Sequence, residues 1–197
     1  RMVSRDTASL SGEETVSAAC ESLSENLVDS ITAPLLFFAA FFTRLVLRLG
    51  NPDILGAEKF MDHAFIASIM RSPVVPPPDP WYAGGTMNIY YYGGYWMMGM
   101  LGILAGVPSS VVFNLALPTV FALAAVNLYA IGDLLLPRFR WFPLLTLALV
   151  NPAFLRDLIF GSGSAGILWE STRVIGNGNT INEYSLFSFL WGDAHPH

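Results

Sequence analysis

Apolar residues gather in four long stretches, each bounded by polar or Gly/Pro-rich sequence, and this pattern predicts separate membrane-crossing helices rather than one soluble core. The first, residues 31–49, is interrupted only by Thr32, Thr43, Arg44 and Arg48, with both arginines where long side chains can snorkel towards lipid headgroups. The second, 89–106, is shorter. Its Tyr90, Tyr91, Tyr92, Tyr95 and Trp96 suit a membrane interface, and Gly99 and Gly102 leave room for a neighbouring helix. The third, 111–136, is the clearest span, with Asn114, Asn127 and Asp133 as its main polar interruptions and Pro118 expected to kink it. The fourth, about 141–169, is broken at Asn151-Pro152 and followed there by Arg156 and Asp157, so it reads either as one broken crossing or as a hairpin.

The predicted fold class is therefore all-α: a polytopic transmembrane helical bundle, with polar loops over 51–88 and 161–197 and a surface-lying helix in the first of them. Residues 1–30 form an acidic polar segment, and 31–197 a partial transmembrane module. The chain opens on Arg1 with no apolar leader behind it and stops at His197 inside a polar motif, which is expected of a piece of a longer protein.

Composition agrees with the pattern, since 53% of residues are hydrophobic and only 13% charged, a balance foreign to soluble domains of this length. The expected surroundings are a lipid bilayer, and the expected location is the cell membrane as a multi-pass protein. A net charge of -5, drawn largely from Asp6, Glu13, Glu14, Glu21, Glu25 and Asp29, argues against a nucleic-acid partner. Cys20 is the sole cysteine, so neither an intrachain disulfide nor a cysteine-based metal site is available.

Candidate chemistry lies in the two polar stretches. In the first, a helix over 56–70 would place Glu58 and Asp62 on one face beside His63, above apolar residues such as Phe65, Ile66 and Ile69 that rest on the membrane. Two carboxylates at that spacing, facing water, can hold a metal or take a proton from a hydroxyl; a solvated charge cluster of Glu58, Lys59 and Asp62 explains the same spacing. Pro76-Pro77-Pro78 then stiffens the connection, and Gly84-Gly85 permits a sharp turn into the second span. In the second stretch, Asp193, His195 and His197 alternate, so extended backbone puts all three on one side as a candidate divalent-metal or acid/base site. An interfacial turn with hydrogen-bonded histidines is the other reading.

Three segments, GAEKFMDHAFIASIMRS, PPPDPWYAGGTMNIYYYGGYW and STRVI with TINEYSLFSFLWGDAHPH, together resemble the DUF2298 family of archaeal and bacterial membrane proteins named for a tyrosine triplet, here Tyr90, Tyr91 and Tyr92. Gly94-Tyr95 follows the triplet where the family more usually has Gly-His. The family's layout is similar to the GT-C superfamily of membrane glycosyltransferases, which implies transfer of a sugar from a polyprenyl-phosphate donor at the outer membrane face. That resemblance implies Asp62 as catalytic base with Glu58 nearby, and Lys59, Arg71 and Arg173 as phosphate contacts. Asp79, Tyr91 and Glu183, standing within the matching segments, complete the candidate substrate contacts, and His195 joins the catalytic set.

Crossing parity decides whether the two polar stretches share a site. A single crossing over 141–169 leaves them on opposite faces, whereas a turn at Asn151-Pro152 brings them together. A transporter or channel-like protein is the competing class if Asn114, Asn127, Asp133, Arg156 and Asp157 line one aqueous cavity, and a non-enzymatic assembly protein is a third.

Overall fold

The computed structural model describes residues 12–56, 58–72, 74–149, 151, 159–160, 169, 171–174 and 182–192, with the backbone alone over 12–29 and 89–92. Statements of absence below concern these residues. The chain divides into two units, Arg1–Leu36 and Phe37–His197. The first contributes the N-terminal part of helix α1, Gly12–Leu49. In the second, α1 ends, and α2 (Lys59–Arg71), α3 (Ile89–Ala105), α4 (Ser109–Leu135) and a short α5 (Ser185–Trp191) follow. No strand is present among the described residues, only the isolated bridges Pro78–Thr86 and Arg173–Glu183, so the all-α expectation holds.

Two helical segments, Ser30–Leu49 and Ser109–Leu135, are long and apolar enough to cross a membrane. At 1.5 Å per residue they reach about 30 Å and about 40 Å, against a hydrocarbon core of roughly 30 Å. Phe38, Phe42, Val46 and Leu49 lie exposed along α1, as do Leu123, Ile131 and Leu134 on α4, a surface that lipid can cover. Helix α3 spans only about 26 Å over its 17 residues. The predicted helices over 31–49, 89–106 and 111–136 therefore form with boundaries within about two residues, except that α1 extends N-terminally to Gly12.

Helices α3 and α4 form a tight hairpin. Gly106 sits at φ 67°, and the Val107 N–H reaches back to the Gly102 carbonyl at 3.1 Å, which closes α3 with a left-handed cap that only glycine adopts at little cost. Against this hairpin packs α2, whose Phe65, Ile66 and Ile69 join Met87, Tyr95, Val112 and Phe113 in the core. Gly99 and Gly102 give the close approach expected of them: a methyl group at Gly99 would fall 2.9 Å from Ile69 Cγ2, and one at Gly102 would collide with Val112. Since lipid tails are as apolar as these side chains, such packing yields dispersion contacts rather than a hydrophobic driving force, and polar contacts weigh heavily in fixing which faces meet.

The predicted helix over 141–169 is corrected in its first part. Beyond α4 the chain forms two 3-10 turns, Pro137–Phe139 and Phe142–Leu147, that fold back on the end of α4. Trp141 packs on Tyr129 with ring centroids 4.6 Å apart, and the Arg140 carbonyl presses against Gly132, where any side chain would clash. Pro137 and Pro143 each withhold an N–H donor, which favours short turns over a continuous helix. Pro152, Arg156 and Asp157 lie outside the described residues.

Candidate functional site

The burial pattern of α2 overturns the expected water-facing pair. Lys59, Asp62, Phe65, Ile66 and Ile69 recur at three- and four-residue spacing and form its buried stripe, so Asp62 turns into the bundle and is only 2% exposed. Glu58 occupies the N-cap position and is exposed. The two carboxylates thus do not share a solvated face, and α2 is packed on α3 and α4 instead of lying free on a membrane surface. Asp62 Oδ1 accepts a 2.7 Å hydrogen bond from the Tyr95 hydroxyl, which orients a buried carboxylate that would otherwise be costly to hold. Tyr95 is the residue that stands where the family's more usual histidine was expected.

Arg44 and Arg48, expected to snorkel, do the opposite: each is 4% exposed. Arg48 staples the end of α1. Its Nε donates to Asn114 Oδ1 at 2.7 Å, Nη1 to the Asn51 carbonyl at 2.8 Å, and Nη2 to the carbonyls of Pro52 at 3.3 Å and Asp53 at 3.2 Å. The guanidinium also lies 5.4 Å from the Phe113 ring centroid. One turn earlier, Arg44 Nε is buried and has no hydrogen-bond partner. Both arginines, with Leu47, Asn51, Lys59, Leu190, Trp191 and Gly192, line a cavity of about 240 Å³.

That cavity joins the two polar stretches. A methyl group at Gly192 would sit 3.0 Å from Arg48 Nη1 and 3.8 Å from Lys59 Cε, so the end of α5 rests directly on the first loop. Phe189 meets Phe121 of α4 at a centroid distance of 4.9 Å, which holds α5 in place. Asp193, His195 and His197, the candidate metal and acid/base residues, follow immediately and lie outside the described residues. Among the described residues no group of three His, Cys, Asp or Glu is gathered as a metal would require.

The other candidates are placed individually. Arg173 and Glu183 pair with each other at 2.8 Å across their bridge, with Arg173 stacked 3.9 Å from the Trp169 ring centroid, so this ion pair clasps the segment ahead of α5. Asp79 Oδ1 accepts from the backbone N–H groups of Trp81, 2.7 Å, and Tyr82, 3.2 Å, and so shapes the loop turn. Arg71 is exposed and caps its own helix through the Ala67 carbonyl at 3.1 Å. The side chain of Tyr91 lies outside those described. Of the polar residues of the transport reading, the three described each have a separate partner: Asn114 serves Arg48, Asn127 donates to the Leu123 carbonyl, and Asp133 faces Arg140 at 3.5 Å; Arg156 and Asp157 lie outside the described residues.

His63 packs edge-on against Phe113 and lies 3.1 Å from Ser109 Oγ through Nε2. Burial, and secondarily the charge of Arg71, push its pKa below the ordinary value of 6.5. The unfolded chain therefore takes up this proton first. The contribution of neutral His63 to stability is complete above pH about 6.5 and is lost as pH falls through the lower folded value. Thermal unfolding in detergent should show a midpoint that declines on acidification below that pH, and less steeply in His63→Gln. Identical slopes in the two proteins would remove His63 as a source.

A family description, an uncharacterized membrane protein family designated DUF2298, matches residues 11–197. Two curated proteins, both described as probable cobalamin biosynthesis protein CobD, share short stretches with the chain. The one from Methanothermobacter thermautotrophicus is 51% identical over 51 residues, and the one from Methanococcus vannielii 55% identical over 40. Those stretches cover 23% and 20% of this chain, and 17% and 13% of the relatives' lengths. No solved structure matches.

Proposed function

Since the chain belongs to the DUF2298 family of uncharacterized membrane proteins, we propose that it is part of a glycosyltransferase-like membrane enzyme of the GT-C kind, moving a sugar from a lipid-phosphate carrier to an acceptor at the outer face of a cell membrane it crosses several times. The observation that carries this reading is a juxtaposition on α2. Asp62, a buried carboxylate oriented by Tyr95, lies three residues, and so less than one helical turn, from Lys59, which lines the cationic cavity with Arg44 and Arg48. Inverting sugar transfer needs a base on the acceptor hydroxyl and positive charge at the departing phosphate, and these neighbours are the residue types for both tasks.

In this reading Asp62 is the base and the cavity cations take the phosphate. Asp193, His195 and His197, which directly follow the cavity-lining Gly192, supply a proton-handling group or ligands to a divalent ion. Glu58, exposed at the N-cap of α2, contacts the acceptor; Arg173 and Glu183 act by holding the segment ahead of α5. Purification of the full-length protein in mild detergent, followed by mass spectrometry of the extracted lipids, should recover a phosphorylated polyprenol or its sugar conjugate above the level in a parallel purification of an unrelated membrane protein. Equal recovery from both would remove the main support for a lipid-phosphate donor.

A further inference from the structure

The end of α1 meets the start of α4, which fixes the membrane face of everything between them. Arg48 stands in the last turn of the span Ser30–Leu49, and Asn114, whose Oδ1 accepts its 2.7 Å hydrogen bond, is the sixth residue of α4. The same guanidinium lies 5.4 Å from the Phe113 ring centroid. If α1 arrives at one face of the bilayer, α4 therefore departs from that same face. A crossing by α3 would put roughly 30 Å of hydrocarbon between the two ends, and their contact forbids it.

Both ends of α3 are tied to α2. Ahead of it, the Ser68 hydroxyl donates to the Pro78 carbonyl at 2.7 Å and the Met87 N–H to the Pro77 carbonyl at 3.0 Å, so the chain enters α3 beside α2. Along it, Asp62 and Phe65 meet Tyr95, Ile69 meets Gly99 and Met70 meets Gly102, so the two helices run side by side in one direction. At 17 residues and about 26 Å, α3 also falls short of the core it would have to cross.

One stripe of α3, made of Tyr95, Gly99 and Gly102, is turned into the protein. The opposite side carries Met97, Leu101 and Leu104, at four- and three-residue spacing, all exposed and Leu104 to 79%. Leu101 and Ala105 of α3, with Leu115 and Thr119 of α4, line an apolar notch of about 150 Å³ between the helices. Thr119 lies one turn before the exposed Leu123, so the open side of α3 continues onto the lipid-facing side of α4. Trp81 and Tyr82, exposed in the loop that leads into α3, are the residue types that favour the headgroup level.

We infer that α3 does not cross the bilayer but lies in its plane, in the leaflet where α1 ends, with Met97, Leu101 and Leu104 resting on lipid acyl chains. The apolar run over 89–106, which reads as a crossing in the sequence, is thereby an in-plane helix. The placement stands whether or not the protein transfers sugar. With α3 lying in the plane, α4 crosses once, and a single return crossing ahead of α5 brings Gly192 to the cavity it lines with Arg48 and Lys59.

The test uses full-length protein with Cys20 replaced by serine, reconstituted in vesicles of known orientation. Single cysteines replace Asn88 and Ser110, exposed residues that flank α3. A membrane-impermeant maleimide should label both from the same side; labelling from opposite sides would overturn the placement. In a second set, Met97→Cys, Leu101→Cys and Leu104→Cys carry an environment-sensitive fluorophore, in vesicles whose lipids bear a nitroxide either near the headgroup or near the end of the acyl chain. All three should be quenched about twofold more by the shallow nitroxide, and Leu123→Cys, midway along α4, about twofold more by the deep one. Stronger quenching of Met97→Cys by the deep nitroxide would mean that α3 dips into the core, and would overturn the in-plane helix. No quenching by either lipid would show the face covered by another protein helix, and would overturn its assignment to lipid.

Discussion

Replacing Asp62 with asparagine in the full-length protein is expected to lower sugar transfer by a factor of about 10² to 10⁴, the range that a positioned general base contributes. The substitution keeps the side-chain shape and leaves an amide oxygen to accept from the Tyr95 hydroxyl, which in the wild type lies 2.7 Å from Oδ1. What it removes is the ability to take a proton. Donor affinity should therefore be unchanged, the loss should fall on turnover, and helix content and detergent elution should match the wild type. Tyr95→Phe is a milder companion, because the carboxylate remains but its orienting donor is lost. Wild-type turnover in Asp62→Asn would remove Asp62 from the catalytic role, whatever its burial signifies.

Arg48→Ala should be the most destabilising single change at the site. Truncation leaves Asn114 Oδ1 without its 2.7 Å donor and strips the Phe113 ring of a cation 5.4 Å away. The carbonyls of Asn51, Pro52 and Asp53 belong to exposed residues and regain water, so they add little to the loss. One charge-assisted bond at about 1.5–3 kcal/mol and a cation–π contact at about 0.5–2 kcal/mol give a total on the order of 3 kcal/mol. Lysine keeps the charge but presents a point donor instead of a fork that reaches Asn114 and three carbonyls at once, so Arg48→Lys should recover less than half of the loss. Chemical denaturation in detergent measures both. A loss below about 1 kcal/mol for Arg48→Ala would mean that the α1 end is held by other contacts.

The helices were legible because long apolar runs with Gly and Pro at their ends leave few alternatives. Hence 31–49, 89–106 and 111–136 emerge close to the observed elements, and Gly99 and Gly102 mark a close helix contact. The site was legible only in outline. Asp62 stands out as an acid in the first polar stretch, but the four-residue spacing of Glu58 and Asp62 points to a common wet face and hides its inward direction. The alignment of Asp62 with Ile66 and Ile69 carries the opposite message and agrees with the observed stripe.

A position near a helix end invites a snorkelling reading of Arg44 and Arg48. Only the packing of α5 over them shows that they line a cavity. An intramembrane charge is costly enough to be a functional candidate in its own right, and that is the signal that was available. Tyr95 looked like one more interfacial aromatic, since nothing in a linear sequence ties position 95 to position 62. Over 141–149 the apolar content favours a continuous helix and masks the effect of Pro143 at the start of the 3-10 turn Phe142–Leu147.

The central claim is that both polar stretches build one site at one membrane face. It is tested most directly by sided labelling of single cysteines at Glu58 and His195 in full-length protein whose Cys20 is replaced by serine, reconstituted in vesicles of known orientation. Gly192 lines one cavity with Arg48 and Lys59, and three further residues of extended chain reach at most about 10 Å. Both cysteines should therefore react with a membrane-impermeant thiol reagent from the same side, and a cysteine at each position in one chain should be joined by a cross-linker of comparable span. Labelling of the two from opposite sides, across roughly 30 Å of hydrocarbon, would contradict a shared site.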